Sequence, residues 1–368
     1  MNKDADFDFC WAVQQDESDV RALAGSVAMP GAVSIRFARE PDYFLGASIM
    51  GNPCDVLIAR HRPDGRLAAM GCRAEHPAFV NGRETSLGYI GQIRVAQGHR
   101  GEWLIQRGAH YFKEASAPGL LYYGVIASDN PRARRLLTGR RLPGGVHVRH
   151  LCGITTYAIL VRRTDPPSPR GLDIQPASAA ALPEIVGFLR QHGPSRQFFP
   201  SYVLEDFTGG GRMHGLGPED IMVARRAGRL MGVMAAWDQA GYKQDIVVEY
   251  GPALRRLRPL YDFAARLFGF SPLTPPGQAI PLAFAACICI ADHDPGVMRA
   301  LLAACANHTR GLGRAFLMLG LADHDPLLAA VRRSLHVTYH SDLYAASWSS
   351  DAVQQMDGRI PYIEIATL

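Results

Sequence analysis

Apolar residues alternate with polar ones, or run in short apolar blocks, over residues 55–60, 67–74, 83–95, 121–127 and 154–161, the period-two pattern of β-strands. Asn81-Gly82, between the second and third of these, supplies the positive φ angles of a two-residue hairpin turn. Helical spacing fits 102–115 and 131–138, so the order is several antiparallel strands, then strand, helix, strand, helix, strand. The second half repeats that order, with strands at 221–226, 230–237, 282–291, 315–321 and 339–348 and helices at 295–309 and 326–334. Two similar halves are expected. The clearest break is 162–176, where four prolines and a glycine discourage both a helix and a central strand. The expected division is a first domain over 1–162, a linker over 163–176 and a second domain over 177–368. The irregular stretch 192–220 contains Gly209-Gly210-Gly211 without the Lys-Ser/Thr ending of a P-loop, and reads as a mobile loop over the junction.

Length and composition agree with this picture. A chain of 368 residues with 48% apolar and 20% charged side chains is an ordinary folded protein of two domains, neither disordered nor fibrous. The longest strongly apolar uncharged run, 280–291, is too short for a membrane span and contains Pro281. The N-terminus is acidic where an export signal would be basic, so the expected location is the cytoplasm. Seven cysteines cannot all pair, and the i,i+2 spacing of Cys287 and Cys289 puts both on one face of a strand, as structural thiols. Charge is uneven: residues 1–170 hold 22 basic and 16 acidic side chains, against 17 and 18 in the remainder. An anionic partner therefore belongs to the first half.

Candidate chemistry concentrates in YIGQIRVAQGHRGEWLIQRGA, Tyr89 to Ala109. An apolar strand ends at Val95, a turn follows, and Arg100-Gly101 opens an amphipathic helix. Exposed amides at a helix start, the positive end of its dipole and an adjacent Arg form an anion site suited to a pyrophosphate; a plain strand-turn-helix with a solvated Arg is the simpler alternative. Further on, Val125 to Ala133 (VIASDNPRA) runs from a buried strand into a helix that Asp129 or Asn130 could cap. From Arg132 to Arg163 there are eight arginines and no acid, which suits the phosphates of a nucleotide, or a solvated basic face. No zinc knuckle, helix-turn-helix or aromatic RNA motif accompanies them, so no nucleic-acid partner is expected.

Together the two segments resemble the GNAT superfamily of acyl-CoA-dependent N-acyltransferases. The family's "V-x-P-x-x-R-G-x-G-x-G" matches Val95, Arg100 and Gly101, and its "N-x-x-A-x-x-L" matches Asn130, Ala133 and Leu136. The match covers 33–161 and, more faintly, the second half. The resemblance implies an α/β (α+β) fold of two GNAT-like domains, each a mixed, mostly antiparallel twisted sheet with helices on both faces, whose central strands splay to admit a pantetheine arm. It implies acetyl-CoA or another acyl-CoA as co-substrate, with no metal. Backbone groups of Ile93 and Val95 would bind the arm, and Arg100, Gly101, Glu102, Trp103, Leu104 and Asn130 the rest of the cofactor. The turn's later glycines are replaced by Trp103 and Ile105, which crowd the phosphates, and Glu102 adds a negative charge there. Leu137 stands where many relatives have an acidic tyrosine. Tyr89 occupies a strand position from which some relatives supply a base, and is the candidate catalytic residue, although a phenol of ordinary pKa near ~10 is a poor base.

In the second half, the strand-to-helix junctions read Asp292-His293-Asp294-Pro295 and Asp323-His324-Asp325-Pro326. Helix capping explains Asp294 and Asp325, and a metal or cationic ligand is the sharper alternative. Carboxylates at the first junction would repel a cofactor, so this half is expected to be a degenerate copy that does not bind CoA. The function expected is direct acyl transfer, of acetyl in the first instance, from acyl-CoA to an amine of a small molecule or peptide. The alternative is a catalytically silent GNAT-like protein that binds a ligand or partner. Sequence leaves the oligomeric state open.

Overall fold

The computed structural model describes residues 6–29, 31–99, 102–138, 145–162, 171–209 and 211–368, with backbone alone at 102, 137 and 138. Arg100 and Gly101 therefore lie outside the described residues, as do most of the linker and the side chain of Leu137.

One long sheet organises the chain, and its two wings repeat each other in reverse. The first wing runs β1 (Phe7–Trp11), β4 (Cys54–His61), β5 (Leu67–Val80), β6 (Arg83–Val95) and β7 (Leu121–Ala127). From the far edge inward, the second runs β9 (Leu172–Pro176), β11 (Ile221–Arg226), β12 (Arg229–Trp237), β14 (Leu282–Ile290) and β15 (Phe316–Ala322). In each wing the outer strands are antiparallel and the innermost pair, β6 with β7 and β14 with β15, is parallel. β9 is the last part of the proline-rich stretch. It can be a strand because it lies at an edge, with Pro176 at its end.

The wings are joined by exchanging their last strands. β8 (His147–Leu160) follows the first wing in sequence but pairs with β15, whereas β16 (His336–Ser347), from the second half, pairs with β7. β8 and β16 then pair with each other over twelve residues. A small sheet of β2 (Ala28–Met29), β3 (Val33–Ala38) and β13 (Gln244–Tyr250) also mixes the halves. The two GNAT-like halves are thus interlaced in one sheet.

Local chemistry accounts for the elements that frame the clefts. The β5–β6 hairpin turns on Asn81 and Gly82, with φ of 53° and 75°, the backbone that Asn-Gly tolerates. α3 (Glu102–Glu114) follows β6, and α4 (Pro131–Thr138) follows β7, started by the Asn130 carboxamide accepting from Ala133 N at 3.0 Å. In the second half, α7 (Pro295–Gly311) buries Val297, Leu301, Cys305 and Thr309 at helical spacing. Its counterpart to α4, α8 (Leu328–Val331), is a single turn, much shorter than the 326–334 expected. α1 (Glu17–Ser26) and α5 (Leu182–His192) pack on the strands, α2 (Tyr43–Ser48) packs against α1, and β10 (Phe199–Pro200) pairs with β5. The stretch 192–220 is not the loose cover that its composition suggests. Gln197, Phe198, Phe199, Ser201 and Tyr202 are all buried, and Gln197 N and O bridge to the tail at Ile360 and Tyr362.

Candidate active site

The parallel pair β6–β7 stays in register for three residues, Leu87–Tyr89 against Leu121–Tyr123, and then parts. Beyond that point β6 also bulges on its other side. Arg94 stands opposite Met70 and Gly91 opposite Cys72, so Gln92 and Ile93 together face the single residue Gly71, and Gln92 takes a φ of 53°. The result is a wedge-shaped cleft lined by backbone that neither neighbouring strand pairs. Ile93 is 41% exposed at its mouth, unusual for an isoleucine inside a strand.

Several of the expected cofactor residues surround this cleft. Ile93 and Val95 lie on its β6 wall. Trp103 packs against Phe7, ring centroids 4.8 Å apart, and Leu104 is buried in the same apolar cluster under β1 and β4. The Trp103 side chain is thus turned toward this cluster, while the pyrophosphate site that Trp103 and Ile105 are expected to crowd, at Arg100 and Gly101, lies outside the described residues. The first-turn amides of α3 have no acceptors within the helix. The side chain of Asn130 is occupied by its capping role. Arg132, Arg134 and Arg135 are exposed on α4, with Arg134 Nε 3.3 Å from Asp342.

Tyr89 is buried on the inner face of the sheet, its ring 5.2 Å from that of Tyr123. Burial drives its phenol far above the ordinary range, with neighbouring Cys72 adding to the effect, so it is a neutral hydroxyl rather than a base. Around it lie groups that no sequence motif marks. His76, on β5, is buried edge-on to Tyr123 at 6.0 Å, and its Nδ1 has no hydrogen-bond partner. Burial, reinforced by Arg212, keeps this imidazole neutral by lowering its pKa well below normal. Arg39 is buried with Nε and Nη1 unpartnered, its Nη2 donating to the Leu368 main-chain oxygen at 3.3 Å. Arg94 donates to its neighbour Ile93 O and, at 3.5 Å, to Gln92, and makes no ion pair among the described residues.

The second half contains the same cleft, closed. β14 and β15 pair over Leu282–Phe284 and Phe316–Met318 and then part, and β14 bulges at Cys287, whose φ is again 53°. The bulge brings Ala286 and Cys289, rather than Cys287 and Cys289, opposite alternate residues of β12, which corrects the strand-face reading of the two thiols. Here the chain's own tail enters: Glu364 Oε2 accepts from Cys287 N at 2.8 Å and Tyr362 Oη from Ile288 N at 3.1 Å. Ile365 fills the space beside Gly320, where a Cβ would fall 2.3 Å from it. At the start of α7, the Asp294 carboxylate accepts from Gly296 N at 2.7 Å and Val297 N at 3.4 Å, occupying the donors that an anion would use. Among the described residues, no side chain takes the corresponding amides of Gln92 or Ile93 in the first half.

The two Asp-His-Asp-Pro junctions do converge, on a cation of the chain itself. Arg196 forms a two-point ion pair with Asp325, its Nη2 donating to Oδ1 at 3.2 Å, and the same Nη2 lies 3.3 Å from His293 Nδ1. Asp325 also accepts from Leu327 N at 2.8 Å, closing a turn; α8 starts only at Leu328, so Asp294 caps a helix as expected and Asp325 does not. Among the described residues no group of His, Cys, Asp and Glu is arranged to hold a metal.

This architecture has counterparts among solved structures. Saccharomyces cerevisiae N-myristoyltransferase with bound myristoyl-CoA matches 98% of this chain and 90% of its own, at 10% identity and a TM-score of 0.58. A GCN5-related N-acetyltransferase from Sphaerobacter thermophilus matches over 98% of both chains at 13% identity, TM-score 0.55. The fungal multi-domain β-N-acetylglucosaminidase with a glucosamine N-acetyltransferase region matches 93% of this chain, at 13% identity and TM-score 0.60, and this chain spans 38% of its length. No protein-family profile matches the sequence, and no curated protein matches it. The chain has the GNAT fold in two divergent copies, a fold that its neighbours use for acyl transfer.

Proposed function

We propose that the protein is an N-acyltransferase that takes an acyl group from acyl-CoA, acetyl-CoA in the first instance, to an amine of a small molecule or peptide. The observation that carries this reading is the asymmetry of the two clefts. The same splay and bulge occur twice, and the chain plugs one with Glu364, Tyr362 and Ile365 while the other keeps its bulge amides.

In the first cleft the pantetheine arm would lie along Ile93 and Val95, with its pyrophosphate toward Arg100, Gly101, Glu102, Trp103 and Leu104 at the start of α3. The bulge amides of Gln92 and Ile93 would donate to the thioester oxygen as it gains negative charge. A neutral amine attacks the carbonyl carbon, the C–N bond forms, the C–S bond breaks, and the amine's proton leaves to a base. The thiolate then takes up a proton. Tyr89 enters this scheme as a hydroxyl donor, and neutral His76 is the buried group on its face of the sheet with a nitrogen free to accept. The test is release of free thiol from acetyl-CoA and longer acyl-CoAs with a panel of amines. Amine-dependent release supports the reading; CoA binding without turnover across the panel would make the protein a silent member of the fold.

A further inference from the structure

Helix α6 (Pro252–Leu267) follows β13 and carries its large apolar side chains on the face turned away from the protein. Its inner face is accounted for. Ala265 is buried, Arg258 lies over the Tyr250 ring at 5.5 Å, and Asp262 accepts from Leu273 N at 2.8 Å. Its outer face carries Leu257, Leu260, Phe263, Leu267 and, just past its end, Phe268, which are 57%, 67%, 69%, 70% and 69% exposed. At 100° per residue these positions share one broad stripe. Scattered exposed leucines need no explanation, but five large apolar side chains on two turns and more of one helix do.

The charges of the helix indicate what covers the stripe: Arg255 and Arg266 flank it beside Phe263, and Arg256 falls between Phe263 and Leu267. Arg255, Arg256 and Arg266 are exposed and make no ion pair among the described residues. The helix's one acidic residue, Asp262, is used inward by Arg258 and Leu273. A second copy of the chain is a poor occupant, because a two-fold contact through this face sets the same arginines against each other. A surface that is negative at its rim and apolar beneath suits both features at once.

We propose that α6 is an interfacial helix that seats the protein on an anionic phospholipid surface, with Leu257, Leu260, Phe263, Leu267 and Phe268 entering the acyl boundary and the three arginines on lipid phosphates. The inference does not depend on the acyl-transfer reading. The experiment is co-sedimentation of the full chain with vesicles of equal parts phosphatidylglycerol and phosphatidylcholine, against phosphatidylcholine alone. Binding to the anionic vesicles is expected, with a loss of about tenfold or more in Leu260→Ser/Phe263→Ser and in Arg255→Glu/Arg256→Glu, and weakening by added salt. Because these side chains are exposed, the variants should keep the parent's thermal midpoint. As an independent reading, Phe263→Trp should show a blue-shifted emission difference on the anionic vesicles. Three results would each overturn the proposal: no binding to anionic vesicles, binding that survives both double substitutions, or a dimer in solution that Leu260→Ser/Phe263→Ser dissociates.

Discussion

Glu364 places its carboxylate 2.8 Å from the main-chain nitrogen of Cys287, at the bulge of a strand 77 positions earlier in the chain. The same oxygen also accepts from Tyr362 Oη at 2.8 Å and Tyr202 Oη at 3.1 Å. The second cleft therefore holds, from its own chain, a carboxyl oxygen on its bulge amide.

This arrangement has a pH signature. Burial raises the pKa of Glu364 above its ordinary 4.5, outweighing the hydrogen bonds from Cys287 N and the two tyrosines. The folded state then holds a proton that the unfolded chain has lost, so this group's contribution to stability falls as pH rises from about 4.5 toward its folded pKa. Glu364→Gln should remove that slope. Urea midpoints measured across the weakly acidic range would show it, and an identical pH profile for parent and variant would refute the assignment.

Arg196 and Asp325 form a buried pair, with side chains 9% and 2% exposed. Arg196→Ala leaves the Asp325 carboxylate without its counter-charge and should cost ~3–5 kcal/mol of unfolding free energy. Asp325→Asn keeps an acceptor for Leu327 N and should cost less than Asp325→Leu, which loses that turn hydrogen bond as well. Equilibrium unfolding in urea compares the three.

Gly91 gives the first cleft room for Tyr89: a Cβ at this position would fall 1.9 Å from the Tyr89 hydroxyl oxygen. Gly91→Ala should displace that phenol and lower kcat more than it raises KM for acyl-CoA. Tyr89→Phe, which keeps the packing and removes the donor, should lower kcat by roughly 10²-fold if the hydroxyl faces the reacting atoms. Unchanged kcat in Tyr89→Phe would confine the residue to packing.

Calorimetry should find one CoA site per chain. Arg100→Glu should weaken that site, and Asp294→Ser should leave it unchanged, since serine keeps the cap of α7 while removing its charge. Two sites, or a site lost in Asp294→Ser, would reverse the roles of the halves.

What could be read from the sequence was whatever a local pattern encodes. The strands at 83–95, 121–127 and 221–226 and the helix at 131–138 have the boundaries that alternation and capping indicate, because their partners impose nothing at odds with local propensity. Three features of the site have no such signature. The bulges fall on Gln92 and Cys287, not on the glycine that would advertise a positive φ. The tail from Pro361 onward shows no strand or helix period, and it lies in a cleft whose walls, β14 and β15, are distant in sequence. Arg196, the cation on which both Asp-His-Asp-Pro junctions converge, sits in a stretch whose glycines suggested a loop, although its neighbours Phe198 and Phe199 are buried. α6 differs again: its apolar positions are periodic, but it carries Pro259 in its interior, where proline removes a helical donor.

The exchange of β8 and β16 limits how the two halves can move. In proteins built from two lobes side by side, a cleft opens when one lobe swings about a flexible connector. Here each half contributes its last strand to the middle of the other's hydrogen-bonded ladder, and a swing about 163–176 would tear both ladders at once. Room for a ligand in the first cleft must therefore come from small adjustments at its rim, such as at the β6 bulge. The plugged half serves in this arrangement as a fixed buttress, against which the open half keeps its shape.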